Sequence, residues 1–207
     1  MADGALNAGQ DAAGLAALIQ RASDQSNGKN GALPPVERWN PPDCGDIDME
    51  IGADGTWFYM GTPIGRAPLV RLFSTVLRRD EDGKTYLVTP VEKVGIRVVD
   101  APFLAVEMSC SGEGAEQRLT FRTNVGDVVE AGAEHGLRFS IDGEGAELKP
   151  YLHVRGRLEA LVSRAVMYDL VDLGEDIEID GVLMFAVRSG GSVFPIMPAA
   201  ELERLSR

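Results

Sequence analysis

The sequence is poor in the residues that carry most metal and nucleophile chemistry: its 207 positions hold two cysteines and two histidines. Cys44 and Cys110 are too few for a disulfide scaffold and lack the CxxC spacing of a zinc or redox site, so a reducing compartment fits. Basic residues are scarce as well, 20 Lys and Arg against 32 Asp and Glu, which leaves a formal charge of −12. Such a chain repels polyanions, and neither a nucleic-acid polymer nor an anionic membrane surface is expected as a partner. Long apolar runs are missing too. Stretches such as Ala101 to Val106 fall far short of the roughly 20 residues that cross a bilayer. The N-terminal MADGALNAGQDAAG has neither the basic start nor the apolar core of a secretory signal, so the expected location is cytoplasmic.

Catalytic signatures are absent as well. There is no G-x-G-x-x-G, no P-loop and no G-x-S-x-G elbow; Gly112-Glu113-Gly114 and Gly143-Glu144-Gly145 lie between strand patterns, without the following helix that binds phosphate, and read as turns. Asp46, Asp48 and Glu50 alternate on one strand face, but the glycine and terminal glutamate of a calcium loop are misplaced, so a solvated acidic face is the reading. Cys44, Cys110, His135 and His153 are too scattered for zinc. No metal, cofactor or catalytic residue is assigned.

What is present is a globular composition, 44% hydrophobic and 25% charged. Asp11 to Ala22 carries a weak helical pattern within an arm, residues 1–32, expected to be mobile. LPPVERWNPPDCG, Leu33 to Gly45, holds four prolines and reads as an extended segment wrapped across the body, with Trp39 as its anchor. Ile47, Met49 and Ile51 alternate with acids, and an Asp54-Gly55 turn leads to the aromatic TWFYM, a hairpin signal. After Gly65-Arg66 a helix bears Leu69, Leu72, Phe73, Val76 and Leu77, with Pro68 in its first turn and a stop at DEDG. Strands are expected at Lys84 to Thr89, Lys93 to Val99, Phe103 to Met108 and Gln117 to Thr123.

A similar order then returns: strand Leu137 to Ile141, the turn Asp142-Gly143-Glu144-Gly145, strand Ala146 to Leu152, Gly156-Arg157, and a helix bearing Leu158, Leu161, Val162, Ala165 and Val166. Strands Gly181 to Arg188 and Ser192 to Ile196 follow. The Gly-Arg pairs, Asp-Gly turns and helix faces recur roughly 90 positions apart, which points to duplication. The expected fold is α+β, an internally duplicated hairpin-helix-strand unit forming two small lobes with antiparallel sheets, residues 33–109 and 110–207.

The run from Pro34 to Phe103, densest in GTWFY, PIGR, LVTPVEKV and VDAPF, resembles an uncharacterised bacterial family, domain-of-unknown-function family 1285. The resemblance implies a duplicated core, a C-terminal part of pleckstrin-homology-like shape, a nucleotide-like ligand at the seam between lobes, and a role in signal transduction. It carries over no catalytic motif.

The residues themselves add candidates. Arg66 and Arg157 each sit where a helix is expected to begin, beside a glycine, so both could clamp one anion, a guanidinium making paired bonds to phosphate. The competing reading has each salt-bridging a carboxylate such as Asp48 or Glu92. Trp57 shares a strand face with Tyr59 and offers either a stacking platform or a core side chain. Thr89 and Glu92 flank Pro90 at a rigid strand end, and His153 stands at another; each is a ligand contact or an ordinary structural residue. Three functions stay open: a non-enzymatic binder of a small anion such as a nucleotide, a protein-interaction module for a signalling partner, and a hydrolase of a phosphorylated small molecule with Asp48 or Glu92 as general base.

Overall fold

The computed structural model describes residues 33–142 and 147–205, together with Gly14 and Ala17. The expected helix at Asp11 to Ala22, the arm of residues 1–32 and the turn at Gly143 to Gly145 fall outside the described residues, Gly14 and Ala17 apart. The chain divides into two units between Pro102 and Phe103. The expected division after residue 109 would cut the strand Phe103–Ser111, all of which pairs within the second unit's sheet.

The first unit builds one six-stranded sheet from two meanders. β1 (Asp43–Ile51) buries Met49 and Ile51 while Asp46 and Asp48 stay exposed, the period-two signature of its sequence. The reversal into β2 (Trp57–Tyr59) is held by the Asp54 carboxylate, which accepts from the Thr56 amide at 2.9 Å and from its hydroxyl at 2.8 Å. These bonds, the amide first, hold the Asp54 carboxyl below its ordinary value. β3 (Thr62–Pro63) completes the first meander. Helix α1 (Ala67–Ser74) starts from extended Arg66 with a proline in its first turn. It stops early because the Ser74 and Thr75 hydroxyls bond back to the Arg71 and Leu72 carbonyls, 2.8 and 2.7 Å. Val76 and Leu77, expected on the helix, therefore lie beyond it, and Leu77 opens β4 (Leu77–Arg79), followed by β5 (Thr85–Val88) and β6 (Lys93–Val98).

The strand order is β3-β2-β1-β6-β5-β4, with β1 and β6 parallel. The expectation of purely antiparallel pairing is corrected here: α1 carries the chain over so that the second meander ends beside β1, running the same way. The core of this unit is Met49, Ile51, Trp57, Phe73, Val76, Leu77, Leu87, Val88 and Val94, all less than a tenth exposed.

The second unit repeats the theme with an added meander. β7 (Phe103–Ser111), β8 (Arg118–Thr123) and β9 (Val128–Glu130) join β10 (Leu137–Asp142), β11 (Glu147–Arg155) and β12 (Leu158–Val162) in the order β10-β11-β12-β7-β8-β9, again through one parallel junction, β12 with β7. Helix α2 (Arg164–Asp172), β13 (Glu175–Ile179), β14 (Val182–Ser189), β15 (Ser192–Pro198) and α3 (Ala199–Leu205) complete it. Three strands, a helix and three strands thus occur in both units, an order consistent with duplicated domains.

Leu158–Val162 is a strand, not the start of a helix. Its burial alternates strictly, with Leu158, Ala160 and Val162 inside, and the helix begins only at Arg164. The third sheet, β13-β14-β15, is pinned to the second by fully buried Ser189, whose hydroxyl accepts from the Leu119 amide (2.8 Å) and donates to the Ala131 carbonyl (2.7 Å). Gly190 is required there: its φ is +56°, and a Cβ would stand 2.8 Å from the Ala131 oxygen. No helix among the described residues is long and apolar enough to cross a membrane.

Candidate functional site

The first unit carries a cleft of about 430 Å³ at one end of its sheet. Asp46 and Ile47 of β1 contribute to it, with Arg79 at the end of β4, Gly83, Lys84 and Thr85 at the start of β5, Gly95 to Val98 of β6, and Asp100 and Pro102 beyond. Three cations line it, Arg79, Lys84 and Arg97.

Sheet register creates this grouping. Asp46 lies opposite Gly95 across the parallel junction, and a Cβ at Gly95 would overlap the Asp46 carboxylate, so glycine makes the space that the carboxyl occupies. Lys84 Nζ stands 4.0 Å from Asp46 Oδ2, both side chains mostly exposed at 61% and 69%. Arg97 pairs with Glu50, four residues along β1 from Asp46, and keeps 73% of its side chain in solvent, while that of Glu50 is 25% exposed. Arg79 Nε donates to the Gly83 carbonyl at 3.2 Å. Exposed pairs of this kind contribute about 0 to 1 kcal/mol, so a ligand can take over these cations at little cost.

A second constellation, also in the first unit, is structural. The Arg78 guanidinium donates to the carbonyls of Val36 (2.8 Å) and Trp39 (2.7 Å) and forks onto Asp80 (2.6 and 3.2 Å). Lys93 Nζ reaches Asp80 at 2.9 Å and lies 4.3 Å from the centre of the Tyr86 ring, whose hydroxyl donates to Asp82 at 2.7 Å. The Arg78 hydrogen bond, with Lys93 assisting, holds the Asp80 carboxyl below its ordinary value. The Asp82 hydrogen bond, then burial, pushes the Tyr86 hydroxyl up to about 12. This cluster fastens the proline-rich lead-in to the sheet. Val36 and Pro41 are its buried residues, whereas the expected anchor, Trp39, is half-buried and contributes its carbonyl.

None of the seven residues singled out from the sequence lines the cleft. Asp48 is exposed on β1, its carbonyl accepting from the Met60 amide at 2.8 Å. Thr89 is 1% exposed and its hydroxyl is consumed by its own turn, donating to the Glu92 carbonyl and accepting from the Glu92 amide. Glu92 has one carboxylate oxygen buried without a partner among the described residues. Trp57 is 1% exposed and stacked on Phe73 with centroids 6.1 Å apart, so it is core and no platform for a ligand ring. Arg66 is exposed at the start of α1. Arg157 lies in the β11–β12 hairpin turn, so the expected equivalence of the two arginines as helix starts does not hold. His153 bridges two loops, its Nδ1 2.9 Å from the Glu134 carbonyl and its Nε2 2.8 Å from that of Gly156, with the His135 ring stacked 5.6 Å away. No group of three or more potential metal ligands occurs among the described residues.

The same chain matches two family patterns end to end. Residues 34–101 match the N-terminal domain of the domain-of-unknown-function family DUF1285, and residues 102–196 match its C-terminal domain. The chain belongs to the DUF1285 family. The junction of the two family domains falls within one residue of where the chain divides. A crystal structure of a DUF1285 protein from Silicibacter pomeroyi DSS-3 is similar at 52% identity over 90% of this chain and 98% of that one, with a TM-score of 0.78. A DUF1285 protein from Shewanella baltica OS155 is 28% identical over 61% of this chain and 91% of that one, TM-score 0.48. No curated protein matches.

Proposed function

We propose that this DUF1285 protein is a non-enzymatic binding protein for a small anionic ligand of up to nucleotide size, held in the first-unit cleft by Arg79, Lys84 and Arg97. One observation carries the reading: in a chain of net charge −12, three cations, against two carboxylates, line one cleft of about 430 Å³. That volume lies within the range of about 300 to 1,000 Å³ usual for small-molecule sites. Guanidinium groups bind phosphate or carboxylate by paired hydrogen bonds, and an ammonium adds a point charge. Their present partners are the exposed Asp46, the part-buried Glu50 and one carbonyl, which a ligand phosphate can replace. The lining holds no histidine, cysteine or serine, and its carboxylate Asp46 is mostly in solvent beside Lys84 rather than in the dry setting that tunes a general base, which favours binding over turnover. A sensor whose occupancy is read by other proteins accords with the signalling role implied by the family resemblance. The two exposed free thiols suit a reducing, cytoplasmic setting.

The test is a thermal-shift titration of the protein with mononucleotides and phosphorylated metabolites. Binding to the native state at a hundred times Kd adds about 2.7 kcal/mol to stability. A concentration-dependent rise that disappears in the combined Arg79→Ala, Lys84→Ala, Arg97→Ala variant supports the site. A rise that survives in that variant, or none across the panel, removes it.

A further inference from the structure

Sheet edges are where a fold offers unpaired backbone, and most of the described edges of this chain are short or covered. β3 is two residues long and ends in Pro63, and β9 has three residues. The proline-rich lead-in is laid against β4, and β10 and β15 lie against each other. β13 (Glu175–Ile179) pairs with β14 on one side and has no strand on the other among the described residues. We propose that this edge is a docking site for an extended segment of a partner protein in which Lys or Arg alternates with aliphatic residues, added to the third sheet as a further strand. The site lies in the second unit and does not depend on the cleft.

Register and charge select that occupant. Ile177 and Ile179 lie opposite Met184 and Val182, which makes one face of the β13–β14 hairpin apolar; Val182 is 51% exposed and the other three are half-buried. Asp176 and Glu178 stand on the other face, opposite Phe185 and Leu183, and both are exposed. From Tyr168 to Asp180 the chain holds six carboxylates and no lysine or arginine. Glu175 pairs with Arg188, but Asp169, Asp172, Asp176, Glu178 and Asp180 make no ion pair among the described residues. In the neighbouring sheet, by contrast, Glu107, Glu130 and Glu159 each hold an arginine. Charges alone guard many edges against chance pairing; what marks this one as receptive is the aliphatic face that alternates with them. Side chains of an added strand come within about 5 Å of those on β13, so one set meets Asp176 and Glu178 and the other meets Ile177 and Ile179. Basic residues satisfy the first and aliphatic residues the second. Main-chain hydrogen bonds along the open edge supply affinity, and the alternation supplies specificity. A second copy of β13 would instead bring like charges together, in a chain of net charge −12.

The probe is the capped peptide Lys-Val-Lys-Ile-Lys-Val, titrated into the full chain at physiological ionic strength. One control has the same composition in the order Lys-Lys-Lys-Val-Ile-Val. Two more are N-methylated at odd or at even residues, which keeps the charge and removes the backbone donors on one side. The alternating peptide should bind at least about tenfold tighter than the reordered one, and one methylated form should lose at least as much. Hydrogen exchange should slow at amides within Glu175–Ile179. Asp176→Lys with Glu178→Lys, both at exposed positions, should abolish the preference, and the neutral pair Asp176→Asn with Glu178→Gln should reduce it. Equal affinity for the two orders, no slowing of exchange in β13, or a preference intact in both variants would overturn the assignment. So would protection of β13 that rises with protein concentration in the absence of peptide, the mark of a second copy on this edge.

Discussion

Replacing Arg78 by methionine should unfold the first unit far more readily than its position beside a surface turn suggests. The Arg78 side chain is 10% exposed and its main partner Asp80 20%, so this pair is shielded from water, unlike the pairs in the cleft. Arg78→Met deletes four hydrogen bonds, two to the backbone carbonyls of the lead-in and two to Asp80. Asp80 would keep only Lys93. Breaking a buried charge pair by removing one partner costs about 3 to 5 kcal/mol, a large share of the 5 to 15 kcal/mol typical of a whole domain. The aliphatic stem of methionine fills much of the vacated volume, so the cost comes from polar groups left unpaired rather than from a cavity. Both tryptophans, Trp39 and Trp57, precede Pro102, and their fluorescence reports urea unfolding of this unit alone. The midpoint should fall steeply, and amide exchange at Trp39 and Lys93, whose donors bond to the Val36 and Pro42 carbonyls, should accelerate before global unfolding. Arg97→Met, at a position with 73% of its side chain in water, should change stability by less than about 1 kcal/mol. A loss below about 1 kcal/mol for Arg78→Met as well would refute the idea that this guanidinium secures the lead-in.

The same cluster sets the pH response at both ends. Asp80 has a lowered folded-state value, so its contribution is present above the ordinary carboxylate range and is lost as pH falls through the folded value; acid unfolding followed by tryptophan fluorescence should be less steep in Arg78→Met. Tyr86 has the opposite sign: raised from 10.0 to about 12, it contributes stability below pH 10 that disappears as pH rises toward 12, and absorbance titration of Tyr86→Phe should lack the last phenolate step. In the second unit, His153→Ala removes the ring that lies between the Glu134 and Gly156 carbonyls; it should cost about 0.5 to 1.5 kcal/mol and speed exchange in the loop around Gly132 to Gly136, and unchanged exchange there would contradict a bracing role.

Much of the fold was legible because strand burial here follows sequence alternation closely. Ile51, Leu87, Val94, Phe121 and Leu152 all fall on strands read from period two and turn residues, and all are buried. Leu158 to Val166 misled because its apolar residues satisfy both periods: 158, 161, 162, 165 and 166 fit a helix, while 158, 160 and 162 fit a strand, and pairing with β7 and β11 decides for the strand. Local pattern could not reveal the parallel junctions, since β1 meets β6 and β7 meets β12 across some fifty residues of intervening chain.

The candidate site was hidden for the same reason. Arg79, Lys84 and Arg97 look along the sequence like ordinary solvated charges, and only the order β1-β6-β5-β4 gathers them. The Gly-Arg repeat attracted attention because it was local, but Gly65-Arg66 precedes a helix and Gly156-Arg157 turns a hairpin. For Trp57 on its strand, core was already the commoner reading over platform, and its burial and stacking on Phe73 of α1 settle it as core.

The most direct test of the cleft as an anion site is a titration of ¹⁵N-labelled protein with O-phosphoserine and with adenosine monophosphate, followed by amide chemical shifts. Saturable shifts centred on Gly83 to Thr85 and Gly95 to Val98, abolished in the Arg79→Ala, Lys84→Ala, Arg97→Ala variant, are what the account predicts. Shifts centred elsewhere, or none at millimolar ligand, would contradict it.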